Sequence, residues 1–218
     1  MDNLEEWQLY FIEMMEKAPF VKYDLNFDLD NPAIQAHLTI EQYLDYYCFN
    51  EKAGKYWTII SMLCKPKVIV ELGTAFGNRT DLIGRLNPDA KLYSVDIQNP
   101  LPLNNIRAPT GHLARLNKTP FTFIHGRSWE TQIDEKVNLF YIDADHREDS
   151  VYKDSIWAWE IRDEDDWYII WDDYPLPSVE KAVNRFCKEK ELILRSIGGY
   201  KYVGSKTIPY KEKKKCQI

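Results

Sequence analysis

The sequence predicts an α/β fold built on a mainly parallel sheet, and three observations carry that prediction. From Lys67 onward short apolar runs alternate with helix-like stretches, as successive βα units do. The first run, in VIVELGTAFGNRT (Val68 to Thr80), passes to a helix start through a loop with two glycines. Near the other end, LILRSIGGYKYVGSK holds two β-prone runs parted by Gly198 and Gly199, the signal of an antiparallel hairpin.

The elements follow in order. EEWQLYFIEMME reads as helical, and Tyr56, Ile59, Ile60 and Leu63 recur at i, i+3, i+4 and i+7, so residues 1–65 are expected to form an amino-terminal helical cap. The aromatic clusters WQLYF and YLDYY within it are expected to pack that cap, the alternative being that they wall a substrate pocket. Residues 66–218 form the second unit. Its strands are expected at KVIVEL, KLYSVDI, FTFIHG, NLFYID and WYIIWDD, with a helix after Pro177. QNPLPLNNIRAPTGHLARLNKTP has three prolines and no clear period, and is expected to be loop with one short helix.

Composition narrows the function. A chain of 218 residues can bury one full core. A formal charge of −6 argues against a general nucleic-acid groove, whose affinity comes from clustered Lys and Arg. No apolar run approaches the roughly 20 residues of a membrane helix, and MDNLEEWQLY is acidic where a signal peptide is basic, so a cytoplasmic protein is expected. Cys48, Cys64, Cys187 and Cys216 show no CxxC pair and are expected to be reduced thiols. The ending KEKKKCQI has two residues after Cys216 where prenylation needs three, and reads as a solvated tail.

The glycine loop is the first candidate site. A strand that ends at an acid and meets a helix amino terminus through glycines offers free N–H groups and bare backbone to a ligand. Gly73 and Gly77 are the bare positions, and Asp96 closes the next strand about 20 residues on, where a carboxylate can accept both hydroxyls of a ribose. The alternative is structural: Gly73 serves a tight turn, Gly77 serves helix–sheet packing, and Asp96 is a polar strand end. Ala75 stands where a dinucleotide loop has its second glycine, which counts against NAD.

VELGTAFGNRT followed by LYSVDI resembles the first two cofactor motifs of class I S-adenosylmethionine-dependent methyltransferases. FYIDADHREDSVYKDSIWAWE and IIWDDY resemble the subgroup with Asp-x-x-His after the fourth strand and paired acids after the fifth, which includes metal-dependent macrolide sugar O-methyltransferases. The resemblance implies a Rossmann-like, mostly parallel seven-stranded sheet with a carboxy-terminal antiparallel hairpin. It also implies that Glu71, Gly73, Thr74, Ala75 and Gly77 line the methionine end of S-adenosylmethionine, and that Asp96 holds the ribose. Where the family often has Gly-Asp-Ser against the adenine, this chain reads Gly126-Arg127-Ser128, leaving Ser128 and Trp129 as the adenine candidates. RDEDDW replaces the family's common Pro-Gly-Gly turn and is taken as loop variation.

In that strand order the fourth and fifth strands are neighbours about 5 Å apart, so Asp143 on one and Asp172 with Asp173 on the other converge beyond the carboxyl ends. Their repulsion calls for a counter-charge, and the resemblance implies a divalent cation such as Mg2+ on Asp143, Asp172 and Asp173. The alternative is that these acids orient cofactor or substrate without metal, or that Asp173 caps a turn. Asp145 and Glu148 have the spacing of a capping box, so Asp145 is expected to cap a helix. His146, in the Asp-x-x-His, is the candidate general base beside Asp143. His37, His112 and His125 have no comparable setting. The expected activity is O-methylation of a small hydroxylated molecule, sugar or phenol-like, with no nucleic-acid or membrane partner and with association into a homo-oligomer allowed. The rivals are an inactive methyltransferase-fold scaffold, favoured by Arg127, a nucleotide-dependent oxidoreductase, and methylation of a protein or nucleic acid, of which the acidic balance argues against the nucleic acid only.

Overall fold

The computed structural model describes residues 57, 60–61, 63–75, 77–99, 101–103, 106–108, 110–197 and 200–206. Seven strands form one sheet: β1 (Val68–Leu72), β2 (Lys91–Asp96), β5 (Thr122–His125), β6 (Leu139–Ile142), β7 (Tyr168–Trp171), β8 (Arg195–Ile197) and β9 (Tyr200–Gly204). Their order across the sheet is β5-β2-β1-β6-β7-β9-β8. All neighbours from β5 to β7 run parallel, and β9 enters antiparallel against β7 and pairs antiparallel with β8. The expected mainly parallel sheet and closing hairpin are therefore present, and the adjacency of β6 and β7 holds.

The central strands are apolar on both faces because helices cover both. Every residue of β6 and β7 is buried. Side chains alternate across the sheet, so Val70 and Leu72 share one core with Phe140, Ile142 and Trp171, while Ile69 shares the other with Leu139, Tyr141 and Ile170. Helices α3 (Glu148–Ile161) and α4 (Pro177–Glu189) cover the first core. In α4, Pro at the first turn suits a helix start, and Val179, Ala182, Val183, Phe186 and Cys187 form one buried stripe. Trp171 stacks edge-on against Phe186 at 5.7 Å, and its indole N–H donates to Ser155 Oγ at 3.0 Å. Each such buried large side chain contributes about 1.5–3 kcal/mol.

Helix α1 (Asn78–Leu86) covers the second core through Leu82 and Ile83. Asp81, fully buried on α1, accepts hydrogen bonds from Arg85, Asn117 and Thr119, which ties α1 to the segment after α2 (His112–Leu116). Trp57 and Ile60, both helical and fully buried, join this core. The rest of the expected cap, including Tyr56, Ile59 and both aromatic clusters, lies outside the described residues, as do Cys48, Cys216, His37, Gly198 and Gly199. Cys64 and Cys187 are buried free thiols. No helix among the described residues is long and apolar enough to cross a membrane.

Two expectations need correcting. The segment expected to be loop with one helix also holds a two-stranded antiparallel ribbon, β3 (Leu101–Leu103) and β4 (Ile106–Ala108). Three-residue strands are too short to show a period. Pro102, which lacks an N–H, is tolerated because each strand of a ribbon has a free edge. Asp145 is not the cap of α3: the cap position is Arg147. The Asp145 carboxylate instead accepts from the Arg147 N–H and guanidinium and from Ser150 Oγ, which holds it down at about 2.

Candidate active site

The turn after β1 is bare of side chains for reasons of backbone packing. Gly73 has φ +95°, and a Cβ there would lie 2.0 Å from the Asp143 carbonyl oxygen at the end of β6. Gly77, at φ +92°, caps α1, and a Cβ on it would lie 2.8 Å from Gly111 Cα. Between them Ala75 takes φ +44°, a conformation that costs a non-glycine residue roughly 1–3 kcal/mol. It is held there by two hydrogen bonds: its N–H donates to Asp96 Oδ2 at 2.8 Å, and its carbonyl accepts from Gly111 at 2.9 Å. Asp96 also accepts from the Gln98 N–H at 2.8 Å, and its carboxylate stays partly exposed with lone pairs to spare.

A cavity of about 400 Å³ opens beyond the carboxyl ends of β5, β2, β1 and β6. Gly73, Ala75, Asp96, Ser128, Trp129 and Asp143 all line it, so six of the sequence candidates meet on one surface. Glu71, Thr74, Gly77, His146, Asp172 and Asp173 lie outside that lining. Glu71 points the other way, onto the α1 face: its Oε2 accepts from Thr80 at 2.5 Å and from Ser94, whose hydroxyl lies 2.7 Å from that of Thr74. It is fully buried, and desolvation pushes its carboxyl up to about 7 against the pull of those two hydroxyls.

The acids after β6 and β7 divide into two groups. Asp143 and Asp172 share a donor: Tyr141 Oη lies 2.9 Å from Asp143 Oδ2 and 2.5 Å from Asp172 Oδ2. The Arg79 guanidinium stands 3.7 Å from Asp172 and lies over the Tyr141 ring at 5.4 Å. Burial, then repulsion from Asp172, raises the Asp143 carboxyl to about 6, while the Tyr141 bond opposes the rise. Asp173 meets His146, with 3.0 Å between Asp173 Oδ2 and His146 Nε2; the same nitrogen is 3.8 Å from Asp143 Oδ1. Asp173 carries φ +49°, so both ends of this region hold a strained non-glycine backbone. Asp143, His146 and Asp173 each offer one donor atom within 4.8 Å of the others.

Sequence reasoning missed Tyr141 and Asp154. Tyr141 lies two residues before Asp143 on the same strand and so shares its face, which a parity count along β6 would have revealed. Asp154 is buried on α3 and lines the cavity. It sits on the buried stripe of α3 with Ser150, Val151, Ser155, Trp157 and Ala158. His112 is half-buried and pushed down by burial, and the His125 ring nitrogen lies 3.0 Å from the Ile97 carbonyl; neither faces the acids.

A seven-stranded sheet of this order, with its cavity beyond the parallel carboxyl ends and an acid closing β2, defines the class I methyltransferase architecture. Residues 70–174, just under half of the chain, match the family described as "Methyltransferase domain". No curated protein matches the chain in sequence. Solved structures match it in fold. TomG, an O-methyltransferase from Streptomyces achromogenes involved in tomaymycin synthesis and solved with S-adenosylmethionine, has a TM-score of 0.53 at 15% identity, with 94% of this chain and 98% of that chain covered. The methyltransferase PaMTH1 of Podospora anserina, bound to S-adenosylhomocysteine, gives 0.54 at 12%, with 92% and 88% covered. An O-methyltransferase from Bacillus cereus, also with S-adenosylhomocysteine, gives 0.50 at 15%, with 94% and 91% covered.

Proposed function

We propose that this protein is an S-adenosylmethionine-dependent O-methyltransferase acting on a small hydroxylated acceptor. The observation that carries this reading is that Asp96 and Asp143 line one cavity while the Asp173–His146 couple stands just outside it, within 3.8 Å of Asp143 through His146 Nε2. Asp96, preset by two backbone N–H groups, suits the two hydroxyls of a ribose. The cofactor, when bound, supplies an electrophilic methyl group on a sulfonium. Gly73 and Ala75 would hold its methionine end, and Ser128 and Trp129 its base. With Nε2–H turned to Asp173, His146 keeps its Nδ1 lone pair, which accepts the acceptor's hydroxyl proton; Asp173 orients the ring and stabilises the imidazolium that forms. Residues 1–65 are read as a cap that excludes water from this end, a role supported by Trp57 and Ile60 at the base of the sheet face that carries Tyr141.

His146→Ala tests the reading. Turnover should fall by about 100- to 10,000-fold, measured as S-adenosylhomocysteine released from a panel of phenolic, catecholic and sugar acceptors. Affinity for S-adenosylhomocysteine should hold, measured by calorimetry. A variant as active as the wild type removes His146 from the chemistry.

A second reading is favoured by the three donor atoms on Asp143, His146 and Asp173. Two carboxylates and an imidazole fit a divalent cation, Mg2+ or Mn2+ among them, which when bound supplies Lewis acidity to the acceptor hydroxyl. Asp172 is a weaker ligand than its sequence position implies, because Tyr141 and Arg79 already engage it. Turnover lost in EDTA and restored by Mg2+ or Mn2+ favours this reading; turnover indifferent to EDTA favours His146 as base.

A further inference from the structure

Past Ser128 the cavity has a wall that no strand supplies. Helix α3 runs beneath the short 3₁₀ turn Ser128–Glu130 and presents Asp154, which is 4% exposed and lines the cavity. Ser128, equally buried, donates its hydroxyl to Asp154 Oδ1. Burial raises the Asp154 carboxyl to about 7 even with that bond in place. A carboxyl on a helix stripe otherwise facing the core is costly to bury, and this one is oriented by a partner on the neighbouring turn.

The position of Asp154 follows from the direction of the ligand. On the reading above, the ribose sits at Asp96 and the reacting end at Asp143 and His146, so the base extends the opposite way, under Gly126 and toward Ser128. The edge of adenine there presents an amine, which needs an acceptor. Arg127 cannot be that acceptor: a guanidinium has only donors, and this one pairs outward with Glu130 at 3.3 Å. Trp129 offers a ring face to stack on and a donor N–H, again no acceptor. Among the lining residues Asp154 is the buried carboxyl, and the Ser128 hydroxyl beside it is spent as a donor on that carboxyl.

We infer that Asp154, oriented by Ser128, accepts a hydrogen bond from the exocyclic 6-amino group of the cofactor's adenine, so that base specificity is set from helix α3. The inference rests on the S-adenosylmethionine reading of the cavity and goes beyond it in naming how the base is chosen.

The test is calorimetry at pH 8 with two ligands, S-adenosylhomocysteine and its analogue with hydrogen in place of the 6-amino group. The wild type should prefer the amine by about 10- to 100-fold, the effect of one hydrogen bond to a charged buried group. Asp154→Leu, of similar shape and with no acceptor, should bind the two within about twofold of each other. Asp154→Asn, which keeps one carbonyl oxygen, should retain part of the preference. Equal binding of both ligands by the wild type overturns the inference with no variant needed, and so does an undiminished preference in a folded Asp154→Leu or Asp154→Asn protein. If the wild type binds neither ligand, the cofactor reading itself falls, a result separate from either of these.

Discussion

Glu71 makes stability depend on pH in a direction opposite to that of most carboxylates. It is fully buried on the α1 face of β1, with two hydroxyl donors on Oε2 and Oε1 buried without a partner. Burial raises its pKa from 4.5 to about 7. In the unfolded chain the group ionises near 4.5, so between there and 7 the native state binds the extra proton. The stabilisation is fully present below pH 4.5 and is lost as pH rises through 7. At about 1.36 kcal/mol per pH unit, a rise of about 2.5 units is worth about 3 kcal/mol. Asp154 and Asp143 have raised values and act in the same direction, so wild-type data alone do not isolate Glu71. Glu71→Gln does, because glutamine is neutral throughout. Urea unfolding at half-unit steps from pH 4.5 to 8 should show the variant gaining on the wild type by about 3 kcal/mol as pH rises, with most of the change between pH 5 and 7. A difference that stays flat across that range, or that grows toward acid, refutes the argument.

Gly73→Ala should cost roughly 2–5 kcal/mol, the sum of a left-handed backbone and a Cβ forced onto the Asp143 carbonyl, and should lower the urea midpoint and S-adenosylhomocysteine affinity together. Tyr141→Phe removes the donor that holds Asp143 down, so the Asp143 carboxyl should titrate above its wild-type value of about 6 when followed by 13C NMR of labelled aspartate; an unmoved titration would show that the hydroxyl serves Asp172 alone.

The parts of the fold that could be read from sequence were those where one physical signal dominates. Strands β6 and β7 are buried on both faces and so appear as unbroken apolar runs between turn residues, which also located Asp143, Asp172 and Asp173 just past the strand ends. The ribbon β3–β4 left no such trace, because three residues and a proline carry neither period nor length. Glu71 shows what a motif match leaves out. It adjoins the glycine loop in sequence, but alternation along β1 puts it with Ile69 on the face opposite Leu72, which is the residue that reaches the cavity. Asp145 and Glu148 fitted a capping pattern, yet the arginine between them took the cap position. Asp154 was hidden for another reason. A polar residue on a helix stripe acquires meaning only when its neighbour is known, and that neighbour, Ser128, is 26 residues away in the chain.

The two glycines after β1 are fixed by what lies behind them, the Asp143 carbonyl and Gly111, both parts of this same chain. Both glycines would therefore be needed to close the sheet whatever ligand the loop meets, so their presence speaks for architecture and not for turnover. On the proposed reading the chemistry falls instead to His146 and Asp173, whose side chains are about half exposed and stand clear of the core.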